Sequence, residues 1–194
     1  DLTMKMKTLF TRQQEQALTI LERDGVFRIQ PEWIQRKYGD IASYFMKNYD
    51  WLAWESARRV PRPTGVTYPI WCSVDEGYML REAPGEVVFQ LSIPEDQVIF
   101  FDSSRWDMVL NHMYIPRDPA DEAAFYQELS ARGIRNPFTL LDDAESRFHP
   151  DLVRRSRDSW SRVFEITDWN MFTVQANIWE FSRDHIVEIR HGQM

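Results

Sequence analysis

The sequence predicts an α+β protein with small mixed or antiparallel sheets at both chain ends and a helical middle, folded as a single domain over residues 1–194. Three observations carry that expectation. Short runs rich in Val, Ile, Phe and Trp stand near both ends. Amphipathic stretches at helical period fill the centre. No repeat, low-complexity tract or Ser/Gly linker interrupts the chain. A chain of 194 residues is the size of one ordinary domain and buries roughly 70% of the surface its unfolded form exposes, so one core is enough.

Met6 to Thr11 is short and apolar enough for a strand, and it leads into a helix carrying Ala17, Leu18 and Leu21 at three- and four-residue spacing. Asp24 and Gly25 stop that helix, because glycine tolerates the left-handed backbone after a helix end. From Tyr38 to Arg59 a longer helix is expected, with Ile41, Tyr44, Phe45, Asn48, Tyr49 and Leu52 on one side. Val60 to Pro69 holds three prolines and Gly65 and reads as an irregular connection into a strand over Tyr68 to Val74. Glu86 to Ile93 and Gln97 to Phe101, separated by Pro94, Glu95 and Asp96, carry a hairpin signal. Ser104 and Asp107 have the spacing of a capping box, opening a helix with Trp106, Val109, Leu110 and Met113 on one face and an end near His112. Residues 117–131 and 150–164 read as two further helices, with a polar, partly irregular stretch from Gly133 to Pro150 between them. Thr173 to Phe181 and His185 to Arg190, joined by Ser182, Arg183 and Asp184, close the chain as strands.

The aromatic share of 14%, with eight Trp, is high, and such side chains either pack a core or line a groove. A net charge of -7 opposes sequence-independent binding to a phosphate backbone except through a local basic patch. The lone Cys72 makes no internal disulfide and no apolar run reaches bilayer-spanning length, which leads to the expectation of a cytoplasmic protein with no membrane partner. Asp1 to Lys7 lack the apolar stretch of a secretion signal. His112, His149, His185 and His191 are scattered without a Cys pair, so no metal is expected, and Cys72 within an apolar strand reads as an inert thiol. No phosphate-binding P-loop, dinucleotide-binding glycine motif or nucleophile elbow is present. Arg154, Arg155, Arg157 and Arg162, and likewise Arg58, Arg59 and Arg62, read as solvated, salt-bridged faces, the first beside Asp151 and Asp158, with an anion-binding patch as the alternative.

Polar residues set in apolar strands are the better pointers to a site, since burying an unpaired polar group is costly. Three places qualify: Thr11, Arg12 and Gln13 at the end of the first strand; Trp71 and Ser73 on one strand face; and Gln175 and Asn177. Alternation puts Gln175, Asn177, Trp179 and Phe181 on one face and Ala176, Ile178 and Glu180 on the other. Each place also fits ordinary capping or core packing.

Leu9 to Gln13, Asp24 to Phe27, Tyr49 to Trp51, Tyr68 to Trp71, Ser103 to Asn111 and Val174 to Ala176 leading to Trp179 and Glu180 resemble small bacterial proteins grouped under a domain of unknown function, over nearly the whole chain. The order Arg12, Trp71 to Ser73, then Gln175 or Glu180 also resembles the ADP-ribosyltransferase fold. The sequence departs from it in having Asn177, not Glu, two residues after Gln175. The second resemblance implies NAD bound as substrate between two small sheets. Arg12 would take its pyrophosphate, Trp71 or Trp106 would stack on a ring, and Gln13, Ser73 and Asn177 would complete the cofactor site. Gln175 and Glu180 would be the catalytic pair, Gln175 orienting a ribose hydroxyl and Glu180 stabilising charge as nicotinamide leaves. The target would be a protein or nucleic acid, and the protein a toxin or defence effector with a neutralising partner. The competing expectation is a non-catalytic module that captures a peptide or protein in a Trp-rich groove.

Overall fold

The computed structural model describes residues 4–192. The fold is α+β with an antiparallel sheet and a helical middle. It has two compact units: one runs to Phe101 and resumes at Ile166, and the other is Asp102–Glu165.

The first unit is built on a six-stranded sheet. Its strands are β1 (Met6–Gln14), β3 (Ile70–Ser73), β4 (Glu86–Pro94), β5 (Ile99–Asp102), β6 (Val174–Ile178) and β8 (Ile186–His191), in the order β5-β6-β3-β1-β4-β8. A second sheet pairs β2 (Val26–Phe27) with β7 (Phe181–Ser182). Three helices belong to this unit: α1 (Gln16–Asp24), α2 (Pro31–Tyr38) and α3 (Ala42–Arg59). Gly25 ends α1 at φ 73°, the left-handed cap expected of it.

The expected hairpin between β4 and β5 does not form. Both edges of β4 are taken, by β1 along its whole length and by β8, so β5 pairs with β6 at the far side of the sheet. In a flat sheet those positions would be roughly 19 Å apart. The short link from Pro94 to Ile99 contains the 3-10 turn Glu95–Gln97 and falls short even of the roughly 17 Å that five extended residues span. The sheet therefore bends. β1 meets β3 through a single registered pair, Phe10 and Ser73, which divides the sheet into two three-stranded blades, β5-β6-β3 and β1-β4-β8. Lys7 on β1 accordingly lies 6.0 Å from the centre of the Phe100 ring on β5.

The blades close on one apolar core. Leu9, Val87, Phe89, Leu91 and Ile93 face it from one blade and Ile70, Cys72, Ala176 and Ile178 from the other, with Leu21, Phe27 and Phe181 completing it. Alternation sends Trp71, Ser73, Gln175 and Asn177 to the opposite, outer face. There α3 lies over the first blade, its Tyr49 ring edge-on to Trp71 at 5.9 Å.

The second unit holds α4 (Ser103–Leu110), α5 (Pro119–Ala131), α6 (Asp143–Ser146) and α7 (Pro150–Ser159). Its core groups Tyr114, Phe125, Leu129, Leu140, Leu152 and Val153. The cap of α4 is Asp102 and not Ser104: the Asp102 carboxylate accepts from the backbone N–H groups of Ser104 (2.9 Å) and Arg105 (3.2 Å). Trp160 to Phe164 continues α7 as a 3-10 turn, tied down by the Trp160 indole N–H donating to the Met113 carbonyl at 2.9 Å.

Candidate functional site

The outer face of β3 and β6 gathers four polar or aromatic side chains in two cross-strand pairs, Trp71 opposite Asn177 and Ser73 opposite Gln175. At the inner end the site is closed. Asn177 is fully buried, and neither its Oδ1 nor its Nδ2 has a hydrogen-bond partner among the described residues. Trp71 beside it is wedged between Tyr49 of α3 and Phe101 of β5, 5.9 and 5.4 Å away. At the outer end Ser73 and Gln175 are half-exposed. The segments leaving the two strands there meet through Tyr78 and Phe172, whose ring centres are 4.4 Å apart although both rings stand largely in solvent.

Strand β1 borders this face. Its expected end at Thr11 is extended to Gln14 by pairing with β4, so Arg12 and Gln13 lie within a strand and point to opposite sides. Thr11 and Gln13 belong to the core side: the Gln13 amide donates to Thr11 Oγ1 (2.9 Å), and the Thr11 hydroxyl donates to the Trp71 carbonyl (2.8 Å). Arg12 is on the outer side with Phe10, and because β1 and β3 run antiparallel it lies from the Phe10–Ser73 pair in the direction of Trp71. Its guanidinium is engaged by Glu86 at 2.6 Å and by the Arg81 carbonyl at 3.2 Å. Binding a pyrophosphate would mean exchanging Glu86 for it.

Three expected site residues are not brought to this face. Gln13 turns to the core side, and Trp106 is buried on α4 in the other unit. Glu180 follows the end of β6, and its Oε2 accepts from the Arg28 guanidinium at 2.7 Å. Nor do Trp179 and Phe181 share a face with Gln175. The chain leaves the sheet at Trp179, whose indole N–H donates to the Val60 carbonyl (2.8 Å), and Phe181 enters β7 and the core. The space between the blades is filled by apolar side chains, so the expected cleft between two sheets is replaced by this outer surface.

Burial shapes the acid–base character nearby. It holds the Cys72 thiol well above its ordinary range, against a smaller opposing effect of the Thr11 hydroxyl. It also raises Tyr49, helped by the 2.7 Å bond to the Tyr38 hydroxyl, and Tyr68, helped by its bond to Asp50. These groups stay neutral at physiological pH. Among the described residues no group of three His, Cys, Asp or Glu side chains is arranged to hold a metal ion, and no helix is long and apolar enough to cross a membrane.

Sequence reading missed Tyr78, Phe172 and Glu82. The two rings meet only in the folded chain, and their exposed positions in short polar segments gave no periodic signal. Glu82 Oε2 is buried with no hydrogen-bond partner among the described residues, a state that no spacing announces.

The fold and this face define an α+β protein with a bent antiparallel sheet and a polar, aromatic-rimmed outer surface. The chain matches the family described as a domain of unknown function, DUF3841, over residues 8–187, and belongs to it. No curated protein and no solved structure matches the chain. The comparisons lend no support to the expected resemblance to ADP-ribosyltransferases.

Proposed function

We propose that the protein is an ADP-ribosyltransferase-like enzyme that uses NAD as substrate to modify a protein or nucleic acid, acting at the outer face of β3 and β6. The observation that carries this reading is the convergence of Trp71, Ser73, Gln175 and Asn177 on one face, with the Asn177 amide buried and unsatisfied. Leaving such an amide unpaired costs about 1–3 kcal/mol per group, so a polar side chain at this depth is set there for a reason other than packing. A nicotinamide or ribose offers donors and acceptors that match Ser73 and Gln175 at the open end, with Asn177 behind them. In this reading the half-exposed Ser73 and Gln175 receive the ligand, and the Tyr78 and Phe172 rings supply flat surface for a base or nicotinamide. Gln175 orients a ribose hydroxyl. Glu180, held by Arg28 away from this face, takes no part at it, and the orienting amide of Gln175 carries the reading.

Label transfer from isotopically labelled NAD to lysate protein or nucleic acid is the test. Transfer by the native chain, lost with Gln175→Ala and reduced with Arg12→Ala, is the expected result. No transfer at all, or transfer indifferent to Gln175, contradicts it.

A non-catalytic capture module is the second reading, favoured by one observation: Tyr78, Leu80, Trp169, Met171 and Phe172 all stand exposed on the first unit. Its anchors would be these residues, because Trp71 and Trp106 are packed inside. Phe172→Ala would then remove partner capture while leaving stability unchanged.

A further inference from the structure

We infer that the second unit carries a binding site for single-stranded nucleic acid, centred on Arg147, Arg154 and Arg157. The basic run of α7 divides sharply in two. Arg155 is neutralised by Glu128 at 3.0 Å and Asp121 at 3.7 Å and lies against the Tyr114 and Phe125 rings. Arg162 donates to the Ile115 carbonyl. These two arginines hold the unit together. Arg154 and Arg157 point the other way, and with Arg147 they line a surface hollow of about 410 Å³ beside Ser146 and the start of α7. None of the three has an ion pair or side-chain hydrogen bond among the described residues. The one carboxylate in the lining, Asp158, leaves the hollow with two net positive charges, three arginines less one aspartate.

Guanidinium groups left unpaired in a chain of net charge -7 form a local positive site on a surface that otherwise repels polyanions. Their planar donors match phosphate oxygens. The hollow is open along one helix side, which suits a strand passing through rather than a small molecule enclosed. A ring decides between single and double strands. Phe148 follows Arg147, is 65% exposed and lies under the Arg147 guanidinium at 5.2 Å. An exposed ring next to phosphate-binding arginines stacks on an unpaired base, whereas the bases of a duplex are already stacked on each other. The site lies on the second unit and does not depend on NAD use.

Fluorescence anisotropy with labelled DNA and RNA strands of about 15 nucleotides, and with the corresponding duplex, tests this. The expected result is binding of the single strand with a log–log salt slope of about −2, from three phosphate contacts at ~0.7 each. Arg154→Glu with Arg157→Glu is expected to weaken it more than tenfold and flatten the slope. Arg147→Gln, which removes a single charge, lowers the slope by about 0.7. Phe148→Ala is expected to cost about tenfold without changing the slope, since it removes stacking and no charge. Circular dichroism and melting curves establish that each variant is folded. No single-strand binding at about 0.05 M salt, or binding unchanged in the folded Arg147→Gln variant, overturns the site. Equal binding of duplex with no effect of Phe148→Ala overturns the single-strand assignment.

Discussion

The two blades of the bent sheet treat polar groups on their outer faces in opposite ways. On β1-β4-β8 the charged side chains are paired: Arg12 with Glu86 at 2.6 Å, and Arg190 with Glu76 at 2.7 Å while its guanidinium covers the Phe10 ring. On β5-β6-β3 the most deeply placed polar side chain, Asn177, has no partner among the described residues for either end of its amide. The first face is closed by its own chain. The second keeps Ser73 and Gln175 half-exposed at its open end, and that difference marks out the candidate site.

The largest expected effect is at the wall of the second face. Trp71→Ala removes a ring wedged between Tyr49 and Phe101, and the loss should be about 3–5 kcal/mol in urea unfolding. A loss below about 1 kcal/mol would mean the ring is a loose platform. Asn177→Leu should act in the opposite direction, stabilising by about 1–3 kcal/mol because an unsatisfied amide is replaced by an apolar group of similar size. If that variant is instead destabilised, the amide is satisfied in solution and the contrast between the blades fails. Arg12→Met should cost under about 1 kcal/mol, since the Arg12–Glu86 pair is partly solvated.

A smaller effect concerns pH. Burial raises the Cys72 thiol in the folded chain above its value in the unfolded chain, so as pH rises past about 8.5 the unfolded state ionises first and stability falls. The contribution is fully present below that pH. Unfolding free energies measured across that range should show the decline, and Cys72→Ala should remove part of it. The native thiol should also resist alkylation at neutral pH; rapid labelling without unfolding would contradict its burial.

Local features of this fold were readable in the sequence, and partner choice was not. Gly25 announced the end of α1 because a left-handed cap is a property of one residue. The common face of Gln175 and Asn177 followed from alternation, which needs no knowledge of neighbours. Helix α2 escaped notice because none of its residues is fully buried, so no apolar stripe marked it. The hairpin signal at Pro94 to Asp96 failed because β1, some 80 residues earlier in the chain, and β8, some 100 later, claim both edges of β4. The run Val174 to Phe181 is continuously strand-like in sequence, yet β6 ends at Ile178 and Glu180 beyond it pairs with Arg28, 152 residues away. For the arginines the sequence showed a single basic run, and only packing separates the paired Arg155 from the unpaired Arg154 and Arg157.

Calorimetric titration of NAD into the native chain, Gln175→Ala and Asn177→Leu decides whether the outer face of β3 and β6 takes the dinucleotide. Saturable binding by the native chain, lost in both folded variants, is the expected result. Absence of binding by the native chain, or equal binding by all three, would contradict it.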